Sequence, residues 1–82
     1  MRRYDTEMGE QLVQVICNQC GREMKLEKGY LKEGCFTADY PFGYFSHKDG
    51  TRHHFDLCEE CYDKMVRQFS VPVEVSQEKE LL

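Results

Sequence analysis

The chain has 82 residues, of which 40% are hydrophobic and 32% charged, and a formal net charge of −4. That length makes one domain, too small for an apolar core to hold without some additional staple. The acidic balance argues against the usual phosphate-backbone binder, and no apolar run approaches the length of a membrane span.

Residues 1–10 are polar and read as a flexible N-terminus. The opening residues lack the apolar stretch of a signal peptide, so the expected location is cytoplasmic. Thiols stay reduced there, which favours metal over disulfide. Residues 12–16, Leu-Val-Gln-Val-Ile, are rich in β-branched side chains and predict a strand. The strand runs into Cys17-Asn18-Gln19-Cys20-Gly21, which reads as a zinc knuckle. Gly21 permits the tight reversal that aims backbone N–H groups at sulfur. Residues 23–27 alternate polar and apolar and predict a half-exposed strand. Lys28-Gly29 and Glu33-Gly34 are turn signals. Residues 35–39 suggest another short strand, and 40–43, Tyr-Pro-Phe-Gly, an aromatic turn.

Asp49-Gly50 lies between two strand-like runs, 44–48 and 51–55. That dipeptide predicts a two-residue type I′ hairpin, which needs positive φ at both positions. The register then places Tyr44 opposite Phe55 and Phe45 opposite His54. Asp56 fits as an N-cap, with Glu59 three residues on completing a capping box. Leu57, Cys58, Cys61, Tyr62, Met65, Val66 and Phe69 recur at helical spacing. The helix should stop near Ser70, ahead of Pro72. A metal-binding domain is therefore expected over 11–70. Val71, Val73 and Val75 alternate with polar or Pro positions, so 71–82 reads as an extended C-terminal tail ending in Leu81-Leu82.

The chemistry lies in two Cys-x-x-Cys pairs, Cys17/Cys20 and Cys58/Cys61, separated by 37 residues. Two intervening residues let one short turn aim both thiolates at one ion. Four such donors make a tetrahedral site, and Zn²⁺ is the expected occupant. Iron is accepted by the same donor set. The second pair falls at the start of the predicted helix, where orphan N–H groups and the helix dipole favour anionic sulfur. Four cysteines close the coordination shell, whereas a catalytic zinc keeps a position open. The expectation is one structural ion and no enzyme. A thioredoxin-type reading of Cys58 needs a βαβ context, and none surrounds it.

The order knuckle, strands, hairpin and ligand-bearing helix resembles the treble-clef zinc fold. The resemblance implies an α+β domain built around the metal. A zinc-ribbon arrangement, with the second pair on a second knuckle, stays open because the insert before the hairpin is long. The wording around Gly43-Tyr44-Phe45-Ser46, Lys48-Asp49-Gly50 and Phe55-Asp56-Leu57-Cys58 is similar to that of small bacterial zinc proteins without an assigned activity. Some treble clefs hold a nuclease metal with His residues from hairpin and helix. No His follows Cys61 here, so that activity is not implied.

Cys35 is left over and reads as a small apolar residue in or near the core. His47, His53 and His54 read as hairpin polarity. Adjacent His53 and His54 point to opposite faces of a strand and do not share an ion. His54 is expected to cover Phe45. Lys48, Arg52, His47 and His53 make a mildly basic tip. The aromatic set Tyr40, Phe42, Tyr44 and Phe45 exceeds what so small a domain readily buries. The expected function is a non-enzymatic module acting through protein–protein contact, with a different protein or a second copy as partner. Nucleic-acid binding through the hairpin tip is the alternative. A redox or zinc-responsive sensor, in which metal loss releases the helix, is a third reading.

Overall fold

The computed structural model describes residues 1–78; Lys79, Glu80 and the Leu81-Leu82 end of the tail lie outside the described residues. The fold is α+β. Three two-stranded antiparallel sheets precede a single α-helix among the described residues.

The first sheet pairs β1 (Arg2–Asp5) with β2 (Gln11–Val15). Strand β2 forms where the β-branched run predicts it. Strand β1 corrects the expectation of a flexible N-terminus. Pairing overrides the polar composition, and the Arg2 side chain is anchored across the molecule on Asp56 and Thr37. The register slips between Arg3 and Tyr4, leaving Val13 as the extra residue of a bulge.

Beyond the knuckle, an isolated bridge joins Ile16 to Glu23, and the Met24 N–H donates to the Val15 carbonyl at 2.8 Å. The predicted strand over 23–27 is thus split. Its paired part is β3 (Leu26–Glu27), which turns back into β4 (Tyr30–Leu31). The connecting residues Lys28 and Gly29 have φ of 51° and 83°. Positive φ at both central positions is the type I′ signature. The tight hairpin expected at Asp49-Gly50 is found here instead.

The third sheet pairs β5 (Cys35–Pro41) with β6 (Arg52–Cys58). Residues 44–48 form no strand, which overturns the predicted register. Phe55 lies opposite Ala38 and His54 opposite Asp39. Two alternating faces explain why 35–41 wins the pairing. One face carries Cys35, Thr37 and Asp39 against Arg52, His54, Asp56 and Cys58. The other carries Phe36 and Tyr40 with His53, Phe55 and Leu57. Phe36 stacks on Tyr62 of the helix at 4.9 Å between ring centroids. Residues 42–51 form successive turns, closed by Ser46 N–H to Gly43 O at 3.0 Å and Thr51 N–H to Lys48 O at 3.0 Å. Gly50 takes φ 90°, but Asp49 stays at negative φ, so no type I′ turn forms.

Strand β6 runs directly into α1 (Glu59–Arg67). The predicted cap is corrected: Cys58 is the N-cap, and Asp56 is a strand residue. The helix ends at Arg67, earlier than expected. Residues 72–78 form no helix or strand.

The core is small. Its buried members are Val15, Met24 and Leu57 together with Cys17, Cys58 and Cys61. Leu12, Leu26, Leu31, Cys35, Phe55 and Met65 pack around them.

Candidate metal centre

The four cysteines of the two pairs converge. Every Sγ of Cys17, Cys20, Cys58 and Cys61 lies within 4.8 Å of every other. A tetrahedral zinc with Zn–S bonds of ~2.3 Å requires sulfur–sulfur edges of about 3.8 Å. Cys20 Sγ and Cys58 Sγ stand 3.9 Å apart. The donor set and spacing therefore fit a tetrathiolate metal ion. Cys17, Cys58 and Cys61 are buried, and Cys20 is exposed at the rim.

The knuckle is built by backbone bonds. Gly21 N–H donates to Cys17 O at 2.9 Å, and Cys17 N–H donates to Arg22 O at 2.9 Å. Gly21 adopts φ 79°, the left-handed conformation that suits glycine. The N–H groups so exposed reach the sulfurs. Burial pushes the Cys17 thiol up, but N–H groups of Cys20, Cys58 and Gln19 outweigh it and bring the thiol down to about 6.

The second pair straddles the strand–helix junction. The Cys61 N–H lowers the Cys58 thiol, assisted by the Cys61 side chain and by Arg22. Cys61 itself is pushed up to about 12, first because its thiol donates to the Cys58 thiolate, then by burial. Proximity of the sulfurs thus divides them. The Cys17 and Cys58 thiols are held below the ordinary value and the Cys61 thiol above it. A divalent ion removes that conflict by stabilising all four thiolates at once.

A cation flanks the site. Arg22 donates to both oxygens of Glu33, one contact being 3.2 Å. Glu33 also accepts from the Lys25 N–H at 2.7 Å. These bonds hold the Glu33 carboxyl down at about 2, with Arg22 the main cause. The Arg22 guanidinium is raised by Glu33 and next by Cys58. Positive charge of this kind offsets the −2 of a zinc tetrathiolate.

Cys35 lies directly opposite Cys58 in the sheet register, yet stays outside the sulfur cluster. Its Sγ faces Thr37 Oγ1 at 3.8 Å and Asp56 Oδ1 at 3.9 Å. Partly buried against the core, it matches the bland expectation. The histidines bring no second metal group together among the described residues. His53 packs against Phe42, and His54 Nε2 faces Asp56 Oδ2 at 3.4 Å on the opposite side of the strand. His54 does not cover Phe45, which is 97% exposed.

Sequence reasoning missed the polar residues that surround the site. Asp56 is fully buried and accepts from Thr37 Oγ1 at 2.8 Å and from Arg2 Nε at 3.2 Å. The Met1 amino group reaches its Oδ2 at 3.0 Å. Burial pushes the Asp56 carboxyl up, but Thr37, the amino group and Arg2 prevail and bring it to about 2. Asn18, inside the first Cys-x-x-Cys, had no sequence signal beyond its position.

Compared with known proteins, the chain matches no family model, no curated protein and no solved structure. No helix among the described residues is long and apolar enough to cross a membrane.

Proposed function

We propose that this chain is a non-enzymatic zinc-binding module, treble-clef-like in architecture, whose metal is structural and whose activity is protein–protein contact. The observation that carries the metal reading is the convergence of four thiolates where the knuckle, β6 and α1 meet. Among the described residues, the surrounding core supplies Val15, Met24 and Leu57 as the other buried apolar residues. An ion bound at that point substitutes for the core the chain lacks. A complete four-sulfur shell leaves no position for substrate.

Protein contact is supported by the loop between β5 and β6. Tyr44 and Phe45 are 83% and 97% exposed and stack edge-to-face on each other at 5.1 Å. Exposed aromatics on a hydrogen-bonded loop suit the anchors of a protein interface. The same arm carries Lys48 over the Phe42 ring at 5.0 Å. That cation–aromatic pairing is what favours nucleic acid as the second reading.

Native mass spectrometry and metal analysis with and without chelator test the site. One zinc per chain is expected, and a metal-free folded protein overturns the reading. Affinity capture from lysate, run in parallel with and without nuclease treatment, tests the partner. A salt-tolerant protein complex is expected, lost in the Tyr44→Ser/Phe45→Ser double variant while zinc content stays unchanged. Retained nucleic acid that washes off with salt and disappears in Arg52→Ala replaces this reading with the second one.

A further inference from the structure

The two halves of the sulfur cluster are joined by more than a metal. Asn18 N–H donates to the Asp56 carbonyl at 2.8 Å, and Asp56 N–H donates back to Asn18 Oδ1 at 3.0 Å. This reciprocal pair links the residue after Cys17 to the residue two before Cys58. It spans 38 positions of sequence. One end is rigid, because the Asp56 side chain is buried and held by Thr37 and Arg2. Asn18 Oδ1 takes a further bond from the Met1 amino group at 2.7 Å.

We propose that Asn18 is the positioning residue of the metal centre, latching the knuckle to β6 so that its hydrogen bonds, and not the ion alone, hold the two sulfur pairs together in the folded site. The inference rests on the reading of the four cysteines as metal ligands. Its physical basis is loop closure. Bringing distant ligands together costs conformational entropy that binding must otherwise supply. The latch supplies part of that closure through two backbone N–H groups and one side-chain oxygen. Asn18 does not touch the ion. It acts through the placement of Cys17 and Cys58.

Removing partners that orient metal ligands lowers affinity by about 10–100-fold. The test is chelator competition for zinc on the full chain, comparing wild type with Asn18→Ala, Asn18→Asp and Gln19→Ala. Cobalt absorption spectra report the coordination shell in each. Asn18→Ala should bind zinc about 10–100-fold more weakly, yet show an unchanged tetrahedral thiolate spectrum when saturated. Asn18→Asp keeps the acceptor oxygen and should recover most of the loss. Gln19→Ala removes only a side chain, keeps the Gln19 backbone N–H that reaches Cys17 and leaves the latch intact, so it should behave as wild type.

Wild-type affinity in Asn18→Ala overturns the latch, as does an equal loss in Gln19→Ala or no recovery in Asn18→Asp. A changed cobalt spectrum in Asn18→Ala also overturns it, because the residue would then act on the shell itself. If Asn18→Ala does not fold even when loaded, Asn18→Ser takes its place with the same expected weakening. Failure of the metal reading looks different: wild type itself then binds no zinc.

Discussion

Asp56 is the residue whose role differs most from its sequence context. Its neighbours cast it as a helix cap, whereas its carboxylate is spent on Thr37, Arg2 and the Met1 amino group. Those partners lie 19, 54 and 55 positions away. No local pattern carries such information. The four cysteines, by contrast, were legible from spacing alone, because two residues between thiols is a local geometric requirement. Replacing Asp56 with Asn removes charge-assisted bonds and should cost roughly 2–3 kcal/mol at neutral pH, measured by denaturant unfolding of the metal-loaded protein. The pH dependence has a definite sign. The folded carboxyl sits at about 2 against an ordinary 3.8, so its contribution is complete above the ordinary value and is lost as pH falls toward 2. The gap between wild type and Asp56→Asn should therefore be flat from neutral pH down to about 4 and close below that.

At the scale of elements, the helix was readable from its period and β2 from its run of β-branched residues. The hairpin was readable in kind and wrong in place. Asp49-Gly50 carries the stronger turn signal, but the 44–48 run has no helix to pack against. Residues 35–41 bring Phe36 onto Tyr62 and Thr37 onto Asp56. Long-range packing selects the strand, and the local signal is left in a loop. Lys28-Gly29 makes the type I′ turn in its place. Gly29→Ala should cost about 1–2 kcal/mol through the left-handed backbone. An added Cβ would also press on Gln11 Cγ at 3.3 Å. The knuckle offers a comparison without that contact. Gly21→Ala meets nothing within 4 Å, so its loss should come from the φ of 79° alone. Thermal melts of both variants, metal-loaded, separate the two effects.

For the molecule as a whole, the buried apolar residues are few and cluster on the sulfur site. Chelation at neutral pH should abolish cooperative unfolding and reduce the helical circular dichroism signal, with recovery on adding zinc back. Tyr44→Ser and Phe45→Ser should each leave stability within ~0.5 kcal/mol, because neither side chain is packed into the core. Protease-resistance and melting curves check that these exposed side chains do not hold the fold. The α+β class was visible in the sequence, but β1 was not. Its pairing with β2, and Arg2 reaching Asp56, are properties of the assembled chain.

One continuous strand, β6, begins at the loop and ends on Cys58. Side chains alternate faces along it, so inserting or deleting a single residue between Arg52 and Cys58 would rotate every later side chain by half a turn. Cys58 would face away from the other sulfurs, and Asp56 away from Thr37. The 42–51 loop carries no such phase. A one-residue insertion should thus be tolerated in that loop and not in the strand that follows it. The arm can change shape without disturbing the cysteine that the strand leads to.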